Sequence, residues 1–125
     1  MKIINTSSAP AAIGPYSQGI VSNGFLFTSG QVPLVPEDMS FIDGTIEEQT
    51  RRVLENLDAI LTAAGTSWSR VVKTTVYMID LADFGTMNAV YEQHLGEARP
   101  ARSTVQVAAL PRGAKVEIDL VAEVG

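Results

Sequence analysis

The last strand-like segment of the chain constrains the fold more than any other stretch. From Lys115 to Val124 the residues alternate between two sets, one apolar and one mostly acidic. The apolar set is Val116, Ile118, Leu120, Ala122 and Val124, and the other set is Glu117, Asp119, Val121 and Glu123. Because successive side chains of a strand point to opposite faces, this alternation predicts a sheet with one face on a core and the other face open.

Turn signals near the N-terminus predict a β-hairpin. Prolines and glycines interrupt the arm that precedes residue 17, so the arm is expected to be irregular. Residues 17–23 and 25–29 predict two short strands, and the Asn23-Gly24 pair between them is typical of a type I′ turn. The sequence therefore predicts an irregular arm followed by a two-stranded hairpin.

Two amphipathic segments predict helices. Thr45 and Glu48 have the spacing of a capping box, and an apolar stripe follows them as far as a stop at Gly65. A second helix is predicted to begin after Asp80 or Asp83 and to end at Gly96. Its predicted inner face carries Phe84, Met87, Val90, Tyr91 and Leu95.

The order of these elements predicts the fold class. Residues 71–79 and 102–108 predict two more strands, and a turn at 110–113 leads into the last strand. This order predicts an α+β domain in which both helices cover one face of a single sheet. A chain of 125 residues suits one core, so residues 1–125 are predicted to form one domain. We expect the uncovered sheet face to meet another subunit.

The composition excludes several kinds of active site. The absence of cysteine excludes a thiol nucleophile, a disulfide framework and a thiolate metal site. The single histidine, His94, lies late in a predicted helix, so it is expected to be a surface residue and not a metal ligand or a catalytic base, and a zinc site lacks its usual ligands. A net charge of −5, with the basic residues dispersed, argues against binding of nucleic acid.

Hydropathy gives an expectation about location. No segment has the apolar length of a membrane span, and the N-terminal apolar run is too short for a signal peptide. The sequence therefore predicts a soluble, cytoplasmic protein without a membrane partner. Neither a cofactor nor a metal ion is expected.

Arg102 is the first candidate site residue, because it begins a segment that predicts a buried strand. The alternation places Arg102, Thr104 and Gln106 on one face, and Ser103, Val105 and Val107 on the other. A guanidinium beside a strand is costly to dehydrate unless an anion pairs with it, and its planar fork matches a carboxylate. The alternative is an arginine at a strand end with its head group in water.

Glu117 is the second candidate, because it lies in the middle of a strand among apolar neighbours. A carboxylate there is either held for a purpose or faces solvent together with Asp119 and Glu123. Tyr16 and Ser29 lie at the boundaries of predicted elements, where binding groups concentrate. Each of these residues alone is a weak indication of a site.

Several motifs, taken together and in this order, closely resemble the RidA family of reactive intermediate (imine) deaminases. They are AAIGPYSQG at 11–19, TSGQVP at 28–33, VKTTV at 72–76, Asn88, PARS at 100–103 and VEI at 116–118. The resemblance covers essentially the full length. It implies a chorismate-mutase-like α+β fold and a homotrimer with ligand clefts between subunits.

The resemblance also implies an activity and a site. Active members hydrolyse 2-enamine and 2-imino acids, such as 2-aminoacrylate, to 2-keto acids and ammonia. Arg102 is implied to bind the carboxylate of this small-molecule substrate, and Glu117 is implied to position or activate water. The other substrate contacts expected are Tyr16, Ser29, Gly30, Asn88 and Thr104. Thr104 stands where many relatives carry a cysteine, which argues against an essential thiol.

Two other functions are weighed against the deaminase. One is a non-enzymic module that binds small molecules or regulates, since some members of the family lack the arginine that is present here as Arg102. The other is a ribonuclease, which the negative charge and the lack of a histidine pair argue against.

The relation between the two candidate charged residues is a further question. A simple hairpin through Pro111 pairs Gln106 with Glu117 and leaves Arg102 several residues away. Either a bulge shifts the register, or Arg102 and Glu117 meet across a subunit boundary. We favour the boundary, because it also explains the uncovered sheet face.

Overall fold

A computed structural model describes all 125 residues of the chain. The strands are β1 (Lys2–Ile4), β2 (Gly19–Ser22), β3 (Phe25–Thr28), β4 (Val71–Met78), β5 (Ala101–Gln106) and β6 (Val116–Glu123), and the helices are α1 (Ile46–Ala63) and α2 (Phe84–Leu95). The strands form one mixed sheet in the spatial order β1-β2-β3-β6-β4-β5. This arrangement confirms the predicted α+β class with a single sheet and two helices.

The local signals at the first turn and the first helix form as predicted. Asn23 and Gly24 both have positive φ, 53° and 80°, as a type I′ turn requires. The Thr45 hydroxyl accepts from the Glu48 amide at 3.1 Å, and the Glu48 carboxylate accepts from the Thr45 amide at 3.0 Å. After α1 the chain reverses at Gly65, whose φ of 76° favours glycine.

The start of α2 has two acidic residues with different positions. Asp80 Oδ1 accepts from the Ala82 amide at 2.9 Å and begins a short 3₁₀ turn at Leu81–Asp83. Asp83 occupies the N-cap of α2 but makes no capping hydrogen bond. Asp80 therefore caps the turn ahead of the helix, and neither aspartate side chain caps α2 itself.

The prediction that the last two strands form a hairpin is wrong. Strand β5 runs parallel to β4, with Arg102 opposite Thr74, and β6 lies between β3 and β4, with Glu117 opposite Tyr77. The apolar set of β6 is fully buried, which requires a central position, whereas β5 is rich in polar side chains and lies at the edge. The prediction of a buried strand at 102–108 is wrong for the same reason, since Val105 is 41% exposed.

The N-terminal arm contains a strand that the sequence does not predict. Strand β1 pairs antiparallel with β2 and buries Ile4 against the core. Three residues are too few to establish an alternation, so only the neighbouring strand identifies this segment as part of the sheet.

The two faces of the sheet differ in what covers them. The helix face packs against α1 and α2, and twenty buried apolar side chains form its core. The open face carries aromatic and aliphatic side chains that are partly exposed in the single chain. They include Ile3, Phe25, Phe27, Tyr77, Val105 and Val121. No helix is both long enough and apolar enough to cross a membrane.

Candidate functional site

Arg102 lies on the helix face at the edge of the sheet, and three side chains of α2 surround it. Its Nη1 donates to Asn88 Oδ1 at 2.7 Å. Its guanidinium carbon lies 4.8 Å from the centre of the Tyr91 ring and 5.4 Å from the centre of the Phe84 ring. The hydrogen bond and the two aromatic rings fix the orientation of the guanidinium.

The sequence places these contacts on α2 by helical spacing. Phe84, Asn88 and Tyr91 are separated by four and then three residues, so they share one side of the helix. The Tyr91 hydroxyl and the buried Thr74 hydroxyl are 2.8 Å apart and share a hydrogen bond. Thr74 is the neighbour of Arg102 in the sheet. The Tyr91 ring that contacts the guanidinium is therefore held in place by Thr74 of β4, the strand that pairs with Arg102.

A cavity of about 340 Å³ adjoins the guanidinium. It is lined by Asn88, Tyr91, Glu92, Ala98, Arg99, Pro100 and Arg102. Arg99 uses its guanidinium within its own loop, where Nη1 donates to the carbonyls of Gly96 and Ala98 at 2.7 and 2.8 Å. Arg102 makes one side-chain hydrogen bond, from Nη1 to Asn88, so its other donors are left for a ligand in this cavity.

Thr104 follows Arg102 on the same face of β5. Its Oγ1 is buried and has no hydrogen-bond partner within the chain. An unpartnered buried hydroxyl is costly, so this group is suited to a ligand or to a partner chain. We name Arg102, Asn88 and Thr104 the arginine half-site.

Glu117 lies on the open face, and its carboxylate packs over Gly30. An ideally placed Cβ on residue 30 would lie 2.7 Å from Glu117 Cδ, so only glycine leaves room for this carboxyl group. The preceding Ser29 is fixed by its Oγ, which donates to the Ser17 carbonyl, and by its amide, which donates to Gln18 at 3.0 Å. We name Glu117, Ser29 and Gly30 the glutamate half-site.

The electrostatics of the open face favour protonation of its carboxylates. Burial raises the pKa of Glu117 above its ordinary value, and the negative charge of Asp119 raises this pKa further. Burial also raises the pKa of Asp119, although a hydrogen bond of 3.1 Å from the Tyr77 hydroxyl opposes the change. Burial, and then the bond to Asp119, raises the pKa of Tyr77. A carboxyl group with a raised pKa is suited to proton transfer.

One chain does not bring the two half-sites together. The neighbour of Arg102 in the sheet is Thr74, which points to the helices, whereas Glu117 pairs with Tyr77, three residues further along β4. Their side chains therefore lie on opposite faces of the sheet. The register shift in β4 lies between Val71 and Lys73, and the pairing from Lys73 to Met78 is regular, so no bulge between Thr74 and Tyr77 brings Arg102 and Glu117 to one face.

Tyr16 lies on the N-terminal arm and belongs to neither half-site, although the next residue, Ser17, accepts the hydrogen bond of Ser29 Oγ. Its side chain is half exposed, and its ring packs against the backbone at Gly14. His94, which was expected to be a surface residue, is partly buried and makes a 2.8 Å hydrogen bond to Asp58 outside either half-site.

Sequence reasoning missed four neighbours of the charged residues. Phe84 and Tyr91 are part of the predicted inner face of α2, yet their rings also support Arg102. Tyr77 and Asp119 are paired beside Glu117. The three-four spacing of Phe84, Asn88 and Tyr91 was the available signal for the first pair, but no local pattern identifies Tyr77 as a neighbour of Asp119.

The fold and the two half-sites define a class of small α+β domains that have an arginine at one edge of a mixed sheet and a glutamate on its open face. The chain belongs to the RidA family, whose model carries the description Endoribonuclease L-PSP and matches residues 6–124.

Named relatives match nearly the whole chain. It is 47% identical over 124 residues to the mouse 2-iminobutanoate/2-iminopropanoate deaminase, covering 99% of this chain and 92% of the mouse protein. It is 49% identical over 121 residues to the chloroplastic Reactive Intermediate Deaminase A of Arabidopsis thaliana, covering 97% of this chain and 65% of that protein.

A solved structure supports the fold closely. The crystal structure of TdcF from E. coli with bound serine superposes with a TM-score of 0.95 at 44% identity, and the match covers 100% of both chains. The family and the fold are therefore shown by independent comparisons of sequence and of structure.

Proposed function

We propose that this protein is a deaminase that hydrolyses 2-enamine and 2-imino acids, such as 2-aminoacrylate, to 2-keto acids and ammonia. One observation carries the proposal: the Arg102 guanidinium is held by Asn88 and Tyr91 beside a cavity, with donors left for a ligand. The relatives named 2-iminobutanoate/2-iminopropanoate deaminase and Reactive Intermediate Deaminase A support the same activity.

Arg102 recognises the substrate carboxylate in this proposal. The two aromatic rings lie against its guanidinium, so the carboxylate approaches the edge of the fork, where two N–H groups donate in parallel. Each charge-assisted hydrogen bond contributes on the order of 1.5–3 kcal/mol. The hydroxyl of Thr104, which lacks a partner, is the neighbouring donor on the same strand.

Glu117 supplies the proton transfers. Its carboxylate takes a proton from a water molecule as the water oxygen bonds to the imine carbon, and the carbon–nitrogen double bond becomes a single bond. The carboxyl group then returns the proton to the nitrogen, which gives an adduct with one hydroxyl and one amino group on the same carbon. Glu117 next takes the hydroxyl proton and passes it to the amino nitrogen, the carbonyl double bond forms as the carbon–nitrogen bond breaks, and ammonia and the 2-keto acid leave. Such general acid–base catalysis contributes typically ~10²–10⁴-fold. The raised pKa of Glu117 suits both directions of transfer.

The complete site is assembled between subunits in this proposal. Arg102 and Glu117 lie on opposite faces of one sheet, so the arginine half-site of one protomer needs the glutamate half-site of a neighbour. An interface that joins two different surfaces can close into a ring, and a homotrimer is the ring we propose. The exposed Phe27 and Val105 are apolar surface that such an interface covers.

The N-terminal contacts complete the proposed cleft. The Ser29 hydroxyl donates its proton to the Ser17 carbonyl, so its oxygen remains an acceptor for the substrate nitrogen. Tyr16 lies on the exposed arm, from which its ring can reach across a subunit boundary.

The decisive experiment measures ammonia release from 2-imino acids that a dehydratase generates in the same cuvette. The parent protein should accelerate release, and Arg102→Ala and Glu117→Gln should both abolish the acceleration. Arg70→Lys is the control, because Arg70 belongs to neither half-site and its side chain bonds only the Gly125 carbonyl. Light scattering should give three times the monomer mass. A monomer of 13.4 kDa would contradict the intersubunit site.

The competing functions predict different results in the same assay. A non-enzymic module would bind small 2-keto acids through Arg102 without accelerating ammonia release. A ribonuclease, which the description of the family model names, would cleave an RNA oligonucleotide. The net charge of −5 disfavours binding to a phosphate backbone.

A further inference from the structure

Gln18 has an enclosed side chain within the motif at 11–19, and its carboxamide is fully occupied. The residue is 2% exposed. Its Nε2 lies within hydrogen-bond distance of three backbone carbonyls, those of Thr6 at 3.0 Å, Ala9 at 3.2 Å and Pro10 at 2.8 Å. Its Oε1 accepts from the Thr6 amide at 2.7 Å. One side chain therefore fixes the backbone at several points of the arm.

These bonds close a loop whose exposed part carries Tyr16. The bond from Gln18 to the Pro10 carbonyl joins the two ends of the segment 10–18, and residues 11–16 between them are exposed. The same end is attached to the glutamate half-site, because the Ser29 amide donates to the Gln18 carbonyl at 3.0 Å. The base of the loop is thus rigidly placed relative to Ser29, while Tyr16 projects from it.

We propose that Gln18 is a positioning residue of the deaminase site, whose carboxamide closes the loop 10–18 and so holds Tyr16 at the substrate cleft. This inference rests on the proposed function. Gln18 does not touch the substrate, since its amide is enclosed by the backbone that it binds. Loss of the bonds leaves Tyr16 on a mobile loop, which weakens a contact made to the substrate and to the transition state alike.

The test is a double-mutant cycle between Gln18→Met and Tyr16→Ala. Methionine has a similar length and no amide, so it removes all the bonds to the arm while it fills the space. Gln18→Met should raise KM about tenfold and change kcat less than about twofold, as loss of uniform binding predicts. The double variant should have the KM of Tyr16→Ala alone within about twofold, because Gln18 acts through Tyr16.

Gln49→Met is the matched control for a merely structural effect. Gln49 is a buried glutamine that also bonds only backbone, with Nε2 donating to Ile42 at 2.9 Å and Oε1 accepting from Lys115 at 2.8 Å. It should lower thermal stability as Gln18→Met does but leave KM unchanged. An equal rise of KM in both variants, or additive effects of Gln18→Met and Tyr16→Ala, would overturn the proposal.

Hydrogen exchange separates this inference from the deaminase proposal. In Gln18→Met the Thr6 amide loses its acceptor, so this amide and the peptide covering 6–17 should exchange at least about tenfold faster than in the parent. Unchanged exchange would overturn the loop closure even if the protein deaminates. If the parent releases no ammonia, the deaminase proposal fails, and the positioning role of Gln18 fails with it. Faster exchange in Gln18→Met would then still establish that Gln18 closes the loop 10–18.

Discussion

Replacement of Gly30 by alanine tests the glutamate half-site without removing any polar group. A methyl group on residue 30 would lie 2.7 Å from Glu117 Cδ and 3.1 Å from its Cγ, so the carboxyl group has to move. Gly30 does not have positive φ, so its backbone accepts alanine. The conflict is with the end of a flexible side chain on the open face, and rotating that side chain off its preferred conformation costs roughly 0.5–1.5 kcal/mol.

The effect on activity should exceed the effect on stability. If Glu117 transfers protons, its displacement removes general acid–base catalysis, so we expect kcat to fall by about 10²-fold or more in Gly30→Ala. Binding of small 2-keto acids should persist, because Arg102 lies on the opposite face of the sheet and the substitution leaves its contacts unchanged. Ammonia release and isothermal titration with 2-ketobutyrate measure the two quantities.

Gly85→Ala is the control for glycine replacement. Gly85 lies in the first turn of α2, and a methyl group there meets no atom within 4 Å. This variant should keep the parent kcat and raise the free energy of unfolding by at most about 1 kcal/mol. A Gly30→Ala protein that assembles normally and deaminates at the parent rate would refute the role of Glu117, since the carboxyl group would have moved without consequence.

Three further predictions concern the charged residues. Arg102→Lys keeps the charge but loses the planar fork, so kcat/KM should fall roughly 10- to 100-fold, as loss of one charge-assisted bond predicts. Steady-state kinetics measures this fall, with Arg70→Lys as the control. Equal kcat/KM values for Arg102→Lys and the parent would show that only the charge of residue 102 matters. Asp119→Asn removes the negative charge beside Glu117, and this change lowers the pKa of Glu117. The acid limb of the pH–rate profile should therefore move to lower pH. An acid limb at the parent position would mean that another group controls it. Glu117→Gln should be more stable than the parent at neutral pH. Folding raises the pKa of the Glu117 carboxyl group, so the parent protein loses stability as the pH rises through that pKa. Chemical unfolding should show a smaller difference in stability between the two proteins at pH 4 than at pH 7, and an equal difference at both pH values would contradict the linkage.

The elements that the sequence predicted correctly are those that depend on near neighbours. The Thr45 capping box forms because its two partners are three residues apart, and the Asn23-Gly24 turn forms because both residues tolerate positive φ. The alternation from Val116 to Glu123 likewise fixes which side chains of β6 enter the core. Each signal lies within one element, so the rest of the chain is not needed to interpret it.

The candidate site was only partly accessible in the same way. The motifs identified Arg102 and Glu117 as residues of interest, and the alternation placed each on one face of its own strand. Neither pattern states how one strand's faces relate to the faces of another strand. The rings of Phe84 and Tyr91 beside the guanidinium were assigned to the core, because helical spacing alone does not separate a core contact from support of a site.

The sequence by itself thus determined both helices, every strand except β1, the α+β class and which side chains share a face of each predicted strand. Only the tertiary structure decided the order of the strands, with β6 inserted between β3 and β4 and β5 at the edge beside β4. That order places Arg102 and Glu117 on opposite faces of the sheet. The physical reason is that strand pairing depends on contacts between distant segments, which no local pattern records. The entropic cost of closing a loop also changes only slowly with the number of residues in it, so the lengths of the connections do not select the partner strand.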